Sequence, residues 1–285
     1  MPRVSTSLPR EFVVFDTETT GMPPGCRLLE IGALKVRGDR VVDSFQSLAF
    51  PETTIPPGVT AIHGIGDAMV ADAPEVGEVL EGFFRWAGAD TPLVGHNVAF
   101  DGRVLAAECV RLGLPIPEHP MHCTLRAARL LLKRPSHALE ALVGDLGLPR
   151  GKHHRALEDA RHAFDLLLRM TEVAGGAFRW SALGRGRPLA AHAPEPPTRA
   201  RALPVLEEAR DRGEAVVLRY RPNRGHPFEC RVTPRFLYRR SRHEWLEALC
   251  HRDCLYKNYR LDRVAAARPE PEAPPVTVRR VRRRA

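Results

Sequence analysis

The sequence predicts an α/β protein: a mixed sheet covered by helices, followed by a smaller, mostly β module. Three observations carry this reading. Strand-like segments come first, over residues 11–50, and then alternate with helical periodicity to about residue 175. The pattern breaks at about 181 into a stretch rich in Pro, Gly, Ala and Arg. Beyond it, short strand-like runs return with turn signals such as "PNRGH" between them.

Taken in order, "EFVVFDTET" holds the uninterrupted apolar run Phe12, Val13, Val14 and Phe15, which predicts a buried strand. "LLEIGALKVRGDRVVDSFQSLAF" reads as two further strands joined by a hairpin-type turn at "RGDR". Helical patterns follow in "APEVGEVLEGFFRWAG", "NVAFDGRVLAAECVRLG", "HCTLRAARLLLKR", "SHALEALVGDLG" and "RALEDARHAFDLLLRMTEVA". Between the first two, "TPLVGHN" is a short buried strand. "VLEEARDRG" is helical, and "AVVLRYR", "FECRVTPRFLYRR", "HEWLEALCHR" and "YRLDRVAAARP" are the strands of the second module. The division is a first domain over 1–180, a linker over 181–203, a β domain over 204–268 and a Pro-rich, Arg-ended tail over 269–285, expected to be disordered.

A hydrophobic content of 44% supports a sizeable core in 285 residues. No apolar run approaches membrane-spanning length, and "MPRVSTSLPREF" lacks a signal-peptide core, so the expectation is a cytoplasmic protein with no membrane partner. Six scattered cysteines imply reduced thiols. Cys250, His251 and Cys254 offer only one loose pair where structural zinc sites use two, and zinc is set aside. Charge is placed asymmetrically. Residues 1–180 carry 19 Lys and Arg against 22 Asp and Glu, a net of −3, whereas 181–285 carry 24 against 12, a net of +12. An Arg-rich, Pro-rich composition accounts for Arg over Lys but not for that placement, which points to a polyanionic partner.

Asp16 and Glu18 stand two apart on the first strand and so share a face. Neighbouring carboxylates raise each other's pKa unless a cation separates them, and hard oxygen donors suit Mg²⁺ or Mn²⁺. Alone, Asp-x-Glu also fits a strand that simply ends in solvent. Two further groups change the balance: Asp101 in the opening turn of a helix after a short buried strand, and His154 and Asp159 around the start of another. Together, Asp16-x-Glu18, Asp101 and His154-x4-Asp159 resemble the three motifs of the DEDDh 3′–5′ exonucleases, the superfamily of proofreading exonuclease subunits and ribonuclease T. The resemblance covers roughly residues 10–172, and "TAIHGI" at 60–65 is similar to another segment of that family. Cys123 departs from it, standing where many relatives carry an acid, and is read as structural.

The resemblance implies a ribonuclease H-like fold and two divalent ions, Mg²⁺ or Mn²⁺, held by Asp16, Glu18, Asp101 and Asp159. It also implies His154 as general base, a role that suits imidazole near neutral pH. Residues five apart on a helix point about 140° apart, so His154 is expected on the loop before the helix rather than within it. His153 competes, but only His154 has the x4 spacing to Asp159. Thr19 and Gly21 are expected to let backbone approach the terminal nucleotide, and the resemblance implies that Met22 and Phe100 wedge or stack against its bases. Ordinary core packing is the competing reading for Met22 and Phe100. Asn97 is read as a cap on the Asp101 turn and His96 as structural.

The second module, over 204–268, resembles a WYL domain, a small Sm-like β-barrel; Tyr220, Arg231, Pro234 and Arg263 in "YRLDRV" fit. Glu244, Trp245 and Leu246 stand where Trp, Tyr and Leu are expected. Arg231, Trp245, Lys257 and Arg263 are read as a phosphate-binding and base-stacking surface, against the alternative of a core Trp and a solvated basic face. Tethered to the first domain, the C-terminal part with its net of +12 over 181–285 would raise local substrate concentration in a salt-sensitive way. The expected activity is metal-dependent 3′–5′ exonucleolysis of single-stranded DNA or RNA. The alternatives are a proofreading subunit of a DNA polymerase, or a ligand-sensing WYL regulator with an inactive nuclease domain.

Overall fold

The computed structural model describes residues 8–149 and 154–280; His153, the competing base candidate, and the final arginines at 282–284 lie outside them. Strand β1 (Glu11–Thr19) pairs antiparallel with β2 (Leu28–Arg37), which pairs antiparallel with β3 (Arg40–Leu48). After α1 (Pro57–His63), α2 (Asp67–Val70) and α3 (Val76–Ala87), β4 (Leu93–Gly95) joins the other edge of β1 in parallel. Helix α4 (Ala99–Leu112) leads to β5 (Pro120–Cys123), parallel to β4, then to α5 (Thr124–Leu131), α6 (Leu139–Asp145) and α7 (Ala156–Ala174). A two-residue strand β6 (Arg187–Pro188) closes the sheet in the order β3-β2-β1-β4-β5-β6.

The apolar run of β1 explains its central place. Val13 and Phe15 enter a core shared with α3 and α4, while Phe12 and Val14 enter a second core shared with α5, α6 and α7. A strand covered on both faces has no polar side to offer, so it reads as a continuous hydrophobic run. Each such Phe, fully buried, contributes about 1.5–3 kcal/mol relative to exposure. On β2, Gly32 has a steric reason: a Cβ there would stand 2.0 Å from the Leu157 backbone nitrogen, so only glycine lets the first turn of α7 lie against the strand.

Sequence and structure differ in three places. "HCTLRAARLLLKR" reads as one helix in the sequence, yet its first two residues finish β5, because His122 and Cys123 pair with Val94 and Gly95. The segment expected as a linker is partly packed on the first domain. Leu189 is fully buried in that domain's core, and the carbonyl of Glu195 accepts from the Arg239 backbone N–H. The tail expected to be disordered from 269 is placed as far as residue 280: β11 (Val264–Glu270) extends into it, and Arg280 donates to the Ala71 and Ala73 carbonyls while lying over the Phe50 ring. Those carbonyl acceptors and that aromatic face give a lone arginine what composition alone does not reveal.

The second domain opens with α8 (Leu203–Arg212), which packs on a five-stranded sheet of order β10-β9-β8-β7-β11. Its other strands are β7 (Ala215–Tyr220), β8 (Phe228–Arg240), β9 (His243–Cys250) and β10 (Leu255–Arg260), and neighbours in the sheet are antiparallel throughout. It is seated on the first domain through a buried ionic cluster. Arg27 meets Glu108 at 3.0 Å and Glu52 at 2.8 Å, and Arg111 meets Glu108 at 2.6 Å and Glu247 at 2.9 Å. Arg235 closes the ring on Glu52 at 2.5 Å and Glu247 at 2.9 Å. Three acids thus face three guanidiniums, so no charge in the cluster is left uncompensated. Among the described residues no helix is long and apolar enough to cross a membrane.

Candidate active site

The site forms where β1 ends. Asp16 and Glu18 leave the same edge of the strand, and the start of α7 brings Asp159 to them; carboxylate oxygens of the three lie within 4.8 Å of one another. Asp101, in the first turn of α4, is buried behind them and held by Thr17, whose backbone N–H and Oγ1 donate to Oδ1 at 3.1 and 2.7 Å. His154 sits in the turn two residues before α7, its backbone left-handed at φ 61°, and its N–H donates to Asp159 Oδ2 at 3.0 Å. Asp16, Glu18, Asp101, His154, Asp159, Asn97 and Phe100 all line one open cavity of about 290 Å³.

Crowding acids at the end of a buried strand has an electrostatic consequence. Burial first, then the charges of Asp101, Asp159 and Glu18, push Asp16 well above the ordinary carboxylate range. Burial and Asp159 push Glu18 up to about 8. Burial raises Asp101 to about 7, with the hydrogen bonds from Thr17 pulling the other way. Crowded hard oxygen donors are what a divalent cation relieves, so the residues present fit a hard divalent ion.

The sign of the linkage follows. These acids hold more protons folded than unfolded, so without metal their contribution to stability declines as pH rises from about 4 toward about 8. In EDTA the melting temperature is expected to fall across that range, and Mn²⁺ to restore it with release of protons. Melting curves and titration calorimetry in buffers of different ionisation enthalpy measure both. A slope that does not flatten in Asp16→Asn would contradict this account.

The supporting residues lie beyond what the sequence revealed. Glu30, opposite Glu18 in the β1–β2 register, is fully buried and gathers Arg155 (2.6 and 3.0 Å), the Ala156 N–H (3.1 Å) and Gln46 (2.9 Å). It ties β2 to the entry of α7 and so fixes where His154 and Asp159 stand. An acid inside the apolar "LLEIGAL" was the available signal. Thr17 was equally visible between the two acids, whereas Glu140, on the cavity rim, left no signal.

Other expected contacts divide. Met22 is 55% exposed, beyond the tip of β1, which disfavours core packing for it, while Phe100 is half-buried at the cavity wall. Thr19 donates to the Gly21 carbonyl at 2.8 Å, and a Cβ at Gly21 would meet nothing within 4 Å, so the space above it is open. Asn97 does not cap through its side chain: the N-cap of α4 is Val98, and Asn97 makes the turn by a left-handed backbone, φ 64°. His96 is bonded to Thr124 and the His137 carbonyl, in keeping with a structural role.

In the second domain, Arg231 and Lys257 line one hollow of about 360 Å³ with Phe228 and His251, but Arg231 is paired with Glu270 and Lys257 with Asp253. Trp245 is elsewhere, half-buried and stacked on Tyr238 at 6.4 Å, in the cluster that meets Ala107 of α4. Its ring therefore belongs to the contact between the domains. Arg263, half-buried in the 3-10 turn before β11, accepts from Arg221 through its carbonyl.

This fold and carboxylate site define a class, and comparison with known proteins identifies it. The exonuclease family model (RNase T) matches residues 13–167 and the WYL domain model matches 201–269. The chain belongs to the exonuclease family and carries a WYL domain behind its nuclease domain. It is 41% identical over 175 residues to a Mycobacterium tuberculosis protein bearing the name of a bifunctional exonuclease/endonuclease, covering 58% of this chain and 27% of that one. It is 38% identical over 163 residues to the PolC-type DNA polymerase III of Oceanobacillus iheyensis, covering 56% of this chain and 11% of the polymerase. The chain thus spans about a quarter or less of these relatives. Exonuclease X in complex with 5′ overhanging duplex DNA matches with a TM-score of 0.50 and 29% identity, over 60% of this chain and 96% of that chain. E. coli exonuclease I in a zinc-bound single-stranded DNA complex shares the fold at a TM-score of 0.53 and 16% identity, over 85% of this chain and 55% of that chain.

Proposed function

We propose that the chain is a metal-dependent 3′–5′ exonuclease that removes nucleoside 5′-monophosphates from single-stranded DNA or RNA, with the WYL domain aiding substrate binding. The observation that carries this reading is the meeting of Asp16, Glu18 and Asp159 within 4.8 Å, with Asp101 and His154 on the same cavity. Asp16, Glu18, Asp101 and Asp159 would hold two divalent ions. Bound there, the ions supply Lewis-acid stabilisation of charge on the phosphate and on the leaving 3′-oxygen.

The residues do the rest. His154, on an exposed turn anchored through its own N–H to Asp159, takes the proton of the attacking water. The new P–O bond forms as the bond to the 3′-oxygen of the preceding nucleotide breaks. That oxygen takes a proton from solvent, and the terminal nucleotide leaves with its 5′-phosphate. Thr17 fixes the orientation of Asp101, and Glu30 fixes the turn that carries His154. The approach of the terminal nucleotide over Thr19 and Gly21, with Met22 and Phe100 beside its base, accords with the open space above Gly21.

The test uses single-stranded DNA and RNA with Mg²⁺ or Mn²⁺. A 5′ label is expected to persist on a descending ladder, and a 3′ label to appear at once in mononucleotide. His154→Ala is expected to lower kcat by about 10²–10⁴-fold with metal binding retained, as loss of a general base requires. Release of a 5′ label as mononucleotide, or shortening that is indifferent to EDTA, would refute the reading.

A further inference from the structure

Two hollows run together, the first on the seam between the domains and the second continuing from it over the second domain. One, of about 330 Å³, is walled by Pro24 and Arg103 of the nuclease domain, His192, and Arg239 and Ser241 of the second domain. The other, of about 460 Å³, shares Arg239 and Ser241 and continues past Arg242, Arg199 and Arg201. They form one trough with arginines from both domains.

Its acids are already engaged. Glu195 pairs with Arg239, Asp262 pairs with Arg260, and Glu244 accepts from the Thr198 and Arg199 backbone N–H groups. Among the described residues, no carboxylate lies at ion-pair distance from the side chains of Arg103, Arg199, Arg201 or Arg242, all exposed. The hollow holding Arg231 and Lys257 differs, since an acid pairs each of those two cations.

The trough also begins beside the active site. Phe100 lines the catalytic cavity, and Arg103, three residues on, is its neighbour on the same face of α4. At the other lip, the Arg240 guanidinium donates to the Met22 carbonyl at 3.3 Å, so the exposed Met22 loop and the end of β8 meet where the trough opens. A chain leaving the catalytic cavity past Phe100 would therefore meet Arg103 in the nearer hollow and Arg199, Arg201 and Arg242 in the farther one.

We propose that this inter-domain trough, rather than the outer hollow with Arg231 and Lys257, is the track for the single strand upstream of the cut. In it Arg103, Arg199, Arg201 and Arg242 bind successive phosphates without regard to sequence. The proposal rests on the exonuclease reading and assigns where that enzyme holds its substrate. Guanidiniums suit phosphate oxygens, and a track of backbone contacts is salt-sensitive and sequence-tolerant.

The test measures binding of the full chain to a fluorescent 20-nucleotide DNA strand in EDTA, so that no turnover is needed. The double variant Arg201→Ala/Arg242→Ala is compared with Arg37→Ala/Arg169→Ala, which removes the same charge from exposed faces elsewhere. The trough variant is expected to bind about ten-fold or more weakly, with the slope of log affinity against log salt reduced by about 1.4; the control is expected to stay within about two-fold of wild type. Equal effects of the two variants would overturn the track, provided circular dichroism shows both folded. The two readings fail separately. A chain that shortens strands but binds regardless of the trough loses only the track. A chain whose binding depends on the trough but which shortens no strand loses only the exonuclease reading.

Discussion

Asp16→Ala is expected to lower metal-dependent strand shortening by about 10⁴-fold, a barrier increase of about 5 kcal/mol, while the protein stays folded. The size of the effect follows from position. Asp16 is the acid whose proton affinity is raised by every other carboxylate of the site, so it lies at the electrostatic centre of the cluster. Removing it takes away a donor and one negative charge, and would weaken the hold of the site on the divalent ions proposed for it. The apo protein, by contrast, gains from the loss of a crowded charge, so its melting temperature in EDTA is expected to hold or rise. Activity in Mg²⁺ and Mn²⁺ together with melting curves in EDTA separates the two effects. Activity within about ten-fold of wild type would show that the carboxylates do not form the catalytic centre.

Glu108→Ala is expected to destabilise the folded chain by about 3–5 kcal/mol, the largest stability effect foreseen for a single substitution here. Glu108 is fully buried on α4 and accepts from Arg27, Arg111 and the Leu28 N–H. Without it two buried guanidiniums face each other with fewer counter-charges, and a strand amide loses its acceptor. Opposed by burial but outweighed by Arg111 and Arg27, its carboxyl is held down at about 2. A depressed folded pKa means that this stabilisation is complete above the ordinary value near 4.5 and fades as pH falls toward about 2. The gap in stability between wild type and variant should therefore narrow as pH falls below about 4.5, a window separate from that of the active-site acids. Urea titration at neutral pH checks the magnitude, and a loss below about 1 kcal/mol would mean that the cluster is solvated and weak.

Much of the nuclease domain was legible because its chemistry is local. The run Phe12–Phe15 could only be a strand covered on both faces, and acids two apart at its end had to share a side. The turn before α7 was also readable, since five residues do not bring two side chains to one face of a helix. What escaped the sequence was everything decided by distant partners. Glu30 became an anchor only through Arg155, which is 125 residues away. Trp245 was readable as a stacking platform or as core; Tyr238 and Ala107 place it at the seam. Arg231 and Lys257 looked available as cations, but Glu270 and Asp253 had already engaged them. Charge asymmetry located the excess of cations in the second half of the chain without showing which of them already have a counter-charge.

Helix α4 carries a consequence of another kind. Its first turn bears Asp101, its second turn begins at Arg103, and its last turns bear Glu108 and Arg111, of which Arg111 reaches Glu247 of the second domain. Ten residues of helix separate Asp101 from Arg111, about 15 Å that neither stretch nor bend appreciably. The WYL domain is thus mounted on a strut instead of swinging on a leash. A leashed domain contributes through local concentration and weakens as its leash lengthens. A strut-mounted one is held at a fixed offset, so lengthening the covalent connection at residues 194–202 should leave the spacing between the carboxylate site and the second domain unchanged.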